Sequence, residues 1–86
     1  MTFDRLKEIL TQENISPYKY DILDLGGVKG YDGYVITVNA KGYNLYYEER
    51  GQKDLIAQFS SEHDVCIAFL QELVRNNRDF LAKYIQ

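Results

Sequence analysis

The apolar positions of this chain follow a helical period at both ends and a two-residue period between them. Phe3, Leu6, Ile9 and Leu10 share one stripe at helical spacing, so residues 2–13 are predicted to form a helix capped by Thr2. Asn14 suits the left-handed position beyond its last turn, Ile15 can fold back onto it, and Pro17 prevents its continuation. Tyr20, Ile22 and Leu25 then alternate with Asp21 and Asp24, which predicts a short strand ahead of a loop at Gly26, Gly27 and Gly30.

The β-branched run Val35-Ile36-Thr37-Val38 predicts a strand over 33–39. Asn39 to Gly42 reads as a turn, 43–49 as the returning strand, Arg50-Gly51 as a second turn, and 54–59 as a third long strand. Alternation assigns Tyr34, Ile36, Val38, Tyr43, Leu45 and Tyr47 to the core face, and Val35, Thr37, Tyr46 and Glu48 to the other. Tyr46 is thus the aromatic expected to be exposed. Ser61-x-x-Asp64 resembles a capping box opening a helix whose buried stripe is Val65, Cys66, Phe69, Leu70 and Leu73. Asn76-Asn77 breaks that helix, and Phe80, Leu81, Tyr84 and Ile85 predict a short last one.

The element order is therefore α-β-β-β-β-α-α. It predicts one α+β domain over 1–86, with an antiparallel three- to four-stranded sheet carrying its helices on one face. Eighty-six residues, 45% apolar and 27% charged, have ordinary globular composition. No segment reaches the roughly 18 apolar residues of a membrane span. The opening Met-Thr-Phe-Asp-Arg-Leu-Lys-Glu lacks a signal-peptide core, and Cys66 is the sole cysteine. Both features predict a cytoplasmic protein without membrane association.

Net charge is −3, and residues 13–64 hold nine acids against five bases, so the centre of the chain suits a basic partner. Five tyrosines lie between Tyr31 and Tyr47, more aromatic surface than one hairpin core absorbs. Tyrosine is enriched where proteins grip one another. A stack of single-stranded bases on these rings would need a basic groove, whereas this segment carries Asp24, Asp32, Glu48 and Glu49; nucleic acid is not expected as a partner.

Catalytic chemistry finds little material. His63 and Cys66 sit three apart at a helix start, where the dipole favours a thiolate, but Cys66 also lies on the apolar stripe and reads as core. Glu48 and Glu49 are strand neighbours and point to opposite faces. Gly26-Gly27-Val-Lys-Gly30 lacks the spacing of a phosphate-binding loop. No enzyme activity, metal or cofactor is expected, and His63 and Cys66 are expected to be dispensable.

The stretches Tyr20-Asp-Ile, Gly33-Tyr-Val-Ile, Leu45-Tyr-Tyr-Glu-Glu-Arg-Gly51 and Phe59-Ser-Ser-Glu-His-Asp-Val-Cys-Ile-Ala-Phe-Leu70 together resemble small immunity proteins of bacterial polymorphic-toxin and contact-dependent growth-inhibition systems. The resemblance covers about three quarters of the chain. Leu45 stands where a larger aromatic is expected, and the C-terminal turn is additional. The resemblance implies an intracellular protein that binds a cognate toxin domain, often a basic nuclease, and blocks it. The expected toxin-binding residues are Asp24, Tyr31, Asp32, Tyr46, Glu48, Glu49 and Arg50. The competing reading is a generic intracellular adaptor or regulatory protein-binding domain of the same fold. A C-terminal helix or the second copy of a homodimer is the alternative cover for Tyr46.

Overall fold

The computed structural model of the protein describes residues 1–23 and 32–85. Its elements run α1 (Phe3–Gln12), a 3-10 turn at Pro17–Lys19, β1 (Tyr20–Ile22), β2 (Gly33–Asn39), β3 (Gly42–Glu49), β4 (Gln52–Phe59), α2 (Glu62–Arg75) and a 3-10 segment over Asp79–Tyr84. The α+β class and element order agree with the sequence reading. The final element is a 3-10 segment rather than an α-helix.

Local signals account for the boundaries. The Thr2 hydroxyl accepts the Arg5 N–H and the Ser61 hydroxyl accepts the Asp64 N–H, so each α-helix starts on a side-chain cap. Asn14 (φ 59°) and Asn77 (φ 72°) take left-handed conformations just beyond the two helices. The Ile15 N–H donates to the Leu10 carbonyl, and its side chain is buried against the core.

The four strands lie in the order β1-β2-β3-β4. The expectation of a wholly antiparallel sheet is corrected at one end: β1 pairs parallel with β2, matching Tyr20 with Tyr34 and Ile22 with Ile36. The other pairs are antiparallel, joined by two-residue turns between Asn39 and Gly42 and between Glu49 and Gln52. Opposite β3, β4 carries a bulge: Leu45 pairs with Ala57 and Tyr46 with Leu55, which leaves Ile56 as the extra residue.

Both helices cover one face of the sheet. Leu6, Ile9 and Leu10 of α1 and Val65, Cys66, Phe69 and Leu70 of α2 are fully buried with Ile36 and Leu45. Phe69 meets Tyr20 and Tyr34 edge-on at ring separations of 6.2 and 6.0 Å, and Phe3 meets Tyr43 at 5.8 Å. Two apolar side chains expected inside lie outside. Val38, at the far end of β2, is 56% exposed, and Phe80 is 48% exposed because Leu81 is the residue of its segment that turns into the core.

Candidate functional site

The sheet face turned away from the helices is built in three rows, each set by strand register. In the central row Val35, Tyr46 and Leu55 are successive cross-strand partners, with Asp21 beyond Val35 on β1. Val35 is buried although neither described helix covers this face, Tyr46 is half-buried, and Leu55 is 54% exposed. The row thus passes from a sealed interior end to an open apolar end at the edge of the sheet.

On one side of it runs a polar row. Asn44 Nδ2 donates to the Thr37 hydroxyl at 3.3 Å, and Gln58 Nε2 donates to Asn44 Oδ1 at 2.6 Å. Asn44 is almost fully buried and keeps its amide satisfied from both neighbouring strands. On the other side Glu48 lies between Gly33 and Lys53, with the Lys53 ammonium 4.0 Å from its carboxylate. Both charged groups are partly solvated, so this ion pair contributes little to stability.

The β3–β4 turn closes this end of the sheet. Arg50 (φ 52°) and Gly51 (φ 82°) both have positive φ, which matches the twist of the two strands they join. The Arg50 N–H donates to Asp32 Oδ1 at 3.2 Å, tying the start of β2 to the turn. Asp32 also lines a cleft of about 260 Å³ with Lys19, Tyr34, Tyr47, Asn76 and Arg78. Burial pushes the Tyr34 hydroxyl above its ordinary pKa, reinforced by the nearby Glu72 carboxylate, while the hydrogen bond from Asn76 Nδ2 opposes the shift.

The sequence-predicted binding residues divide accordingly. Tyr46 and Glu48 lie in adjacent rows of the open face, and Asp32, Glu49 and Arg50 gather at its rim. Asp24 and Tyr31, like the 26–30 glycine loop, fall outside the described residues. Tyr46 is only half-buried by its own chain, less open than alternation alone suggested, because Val35 and Leu55 flank it. Sequence reasoning missed Leu55, Lys53 and the Thr37–Asn44–Gln58 ladder. The period-two pattern of β4 would have found Leu55, but the bulge at Ile56 breaks that pattern.

Cys66 is fully buried, and its thiol is pushed up to about 11, by burial first and then by the Glu62 carboxylate, against the N-terminal ammonium. The dipole expected to favour a thiolate is therefore outweighed by desolvation. The exposed His63 ring has its Nδ1 2.5 Å from the Met1 amine, and Glu62 accepts the Phe3 N–H at 2.7 Å, so the start of α2 anchors the start of α1. Among the described residues, no group of three or more His, Cys, Asp or Glu side chains is placed to hold a metal ion. None of the described helices is long and apolar enough to cross a membrane. The chain matches no protein-family model, no curated protein and no solved structure.

Proposed function

We propose that this chain is an immunity-type protein of the cytoplasm, which binds a cognate bacterial toxin domain and neutralises it by forming a tight heterodimer. The observation that carries the reading is the open sheet face, where a half-buried tyrosine stands between an exposed leucine and an acidic rim. An aromatic ring flanked by apolar surface and rimmed by charge has the make-up of a binding hot spot. Around the β3–β4 turn Asp32, Glu48, Glu49 and Asp54 outnumber Arg50 and Lys53, while Lys19 and Arg78 lie across the cleft that Asp32 lines. The turn itself favours a basic partner such as a nuclease domain. The resemblance carried by Leu45-Tyr-Tyr-Glu-Glu-Arg-Gly51 supports the same assignment, since that motif forms β3 and the turn bounding this face.

In this reading Tyr46 anchors the complex and the acids speed its formation. Tyr46→Ala costs about 2 kcal/mol or more of binding, roughly thirtyfold in Kd. Glu49→Lys slows association, an effect that fades as salt rises. Glu49 is the cleaner acidic probe, because Glu48→Lys would also set two cations side by side at Lys53. The experiment is a binding titration against a toxin domain encoded immediately upstream, paired with growth protection in cells expressing that toxin. Wild-type affinity in both variants would move the interface off this face. Binding without protection would favour the adaptor reading.

A further inference from the structure

The free edge of β4 is the least protected part of the described molecule. β4 ends the sheet, so its outer backbone groups have no strand partner among the described residues. Seven of the eight residues of β3 are at least partly buried, whereas six of the eight in β4 are exposed. Leu55 is 54% exposed and the adjacent Ile56 39%. A long edge strand with apolar side chains is a template for strand addition unless proline, charge or a bulge that twists the edge away blocks it. β4 has no proline, its charges, Lys53 and Asp54, sit towards one end, and its bulge at Ile56 follows an unbroken register over Gln52–Leu55.

We infer that this edge pairs antiparallel with the β4 edge of a second copy of the chain, joining two four-stranded sheets into one of eight strands about a twofold axis at Leu55. The register follows from the bulge. With Ile56 set aside as the extra residue, centring the pair on Leu55 places Lys53 opposite Gln58 and Asp54 opposite Ala57. No like charges then face each other, a condition that a register centred on Asp54 violates by setting two carboxylates together. The same register continues the central row, since Val35, Tyr46 and Leu55 of one copy run into Leu55, Tyr46 and Val35 of the other. An apolar row that ends on an exposed leucine in one chain becomes a continuous stripe in two. This pairing uses the strand edge and leaves the rest of the open face uncovered. It shares Leu55 with the proposed toxin-binding face and leaves Tyr46 and the acidic rim uncovered, so self-association is read by mass and toxin binding by Tyr46→Ala.

The test is sedimentation velocity of the full chain over a wide concentration range, with cysteine cross-linking to read the register. The wild type is expected to pass from one-chain to two-chain mass as concentration rises. Leu55→Lys sets like charges on the axis and restores one-chain mass, with folding checked by circular dichroism; Leu55 is exposed, so the fold does not depend on it. In a Cys66→Ala background, Leu55→Cys treated with a short bismaleimide should give a covalent dimer, because directly opposite Cβ atoms lie only about 4.5–5.5 Å apart. Lys53→Cys in the same background should stay single, since the two copies of residue 53 lie on opposite sides of the axis. One-chain mass at every concentration would overturn the inference, whatever partner strand the edge then accepts. A dimer in which Leu55→Cys fails to cross-link would overturn it equally.

Discussion

Two glycines separate two reasons for excluding a side chain, and replacing each with alanine tests the packing at the rim. A Cβ added at Gly33 would lie 2.1 Å from the Lys19 carbonyl oxygen and 2.5 Å from its carbon. A comfortable carbon–oxygen contact needs about 1 Å more than this, and the obstacle is backbone, so no rotamer change relieves it. The only escape is to move the Pro17–Lys19 turn and the start of β1 away from β2, which breaks the Tyr20–Tyr34 pairing. Overpacking of this kind costs about 1–3 kcal/mol, and an immovable neighbour places Gly33→Ala at the upper end. At Gly51 the surroundings are empty, and only the positive φ of 82° resists a side chain. That strain costs about 1–2 kcal/mol, less about 0.4–1 kcal/mol returned because alanine restricts the unfolded chain. With about 4–8 °C of Tm per kcal/mol for a domain of this size, Gly33→Ala should melt about 10–20 °C below wild type and Gly51→Ala only a few degrees below. Thermal and urea unfolding followed by circular dichroism measure both. Asparagine, which tolerates left-handed backbone, supplies the crossover: Gly51→Asn should recover most of the loss, and Gly33→Asn should deepen it. Equal losses for the two alanine variants, or rescue at position 33, would refute the close approach of Lys19 to β2.

Phe69→Ala, which removes a fully buried ring and its edge contacts with Tyr20 and Tyr34, should cost about 3–5 kcal/mol in urea unfolding. For Cys66 the sign follows from its raised pKa, since the folded state holds the thiol proton up to about 11 while the unfolded chain releases it near 9.0. Its contribution is complete below pH 9 and is lost as pH climbs towards 11, so wild type should lose about 1 kcal/mol more than Cys66→Ala between pH 9 and 10.

The helices and the β2–β4 meander were legible because each element announces itself by period: Leu6, Ile9 and Leu10 on α1, Phe69, Leu70 and Leu73 on α2, and Ile36 facing Leu45 across a short turn. The parallel direction of β1 was not, since Tyr20 and Ile22 alternate identically in either direction. The length of the 23–32 connection was the available clue, because a tight hairpin needs far fewer residues and a parallel crossover needs about this many. At the candidate site, alternation correctly set Tyr46 and Glu48 opposite the core face. It could not show that Asn44 would be buried there, because alternation says nothing of the side-chain hydrogen bonds from Gln58 and to Thr37 that satisfy a polar residue on that face. Nor could it place Val38, whose apolar character matches the core face but whose position lies at the far end of its strand.

The two short turns also bear on how the chain assembles. Every pairing within β2, β3 and β4 closes a small loop, whereas α1 is fastened to α2 by the Phe3–Glu62 bond across 59 residues. Loop closure is cheapest where the intervening chain is short, so the meander is the natural folding nucleus and α1 docks late. Substitutions at Leu45 would then act mainly on the folding rate, and those at Leu6 or Ile9 mainly on unfolding. The lifetime of the native state is accordingly governed by the first helix, far in sequence from the strands that start its formation.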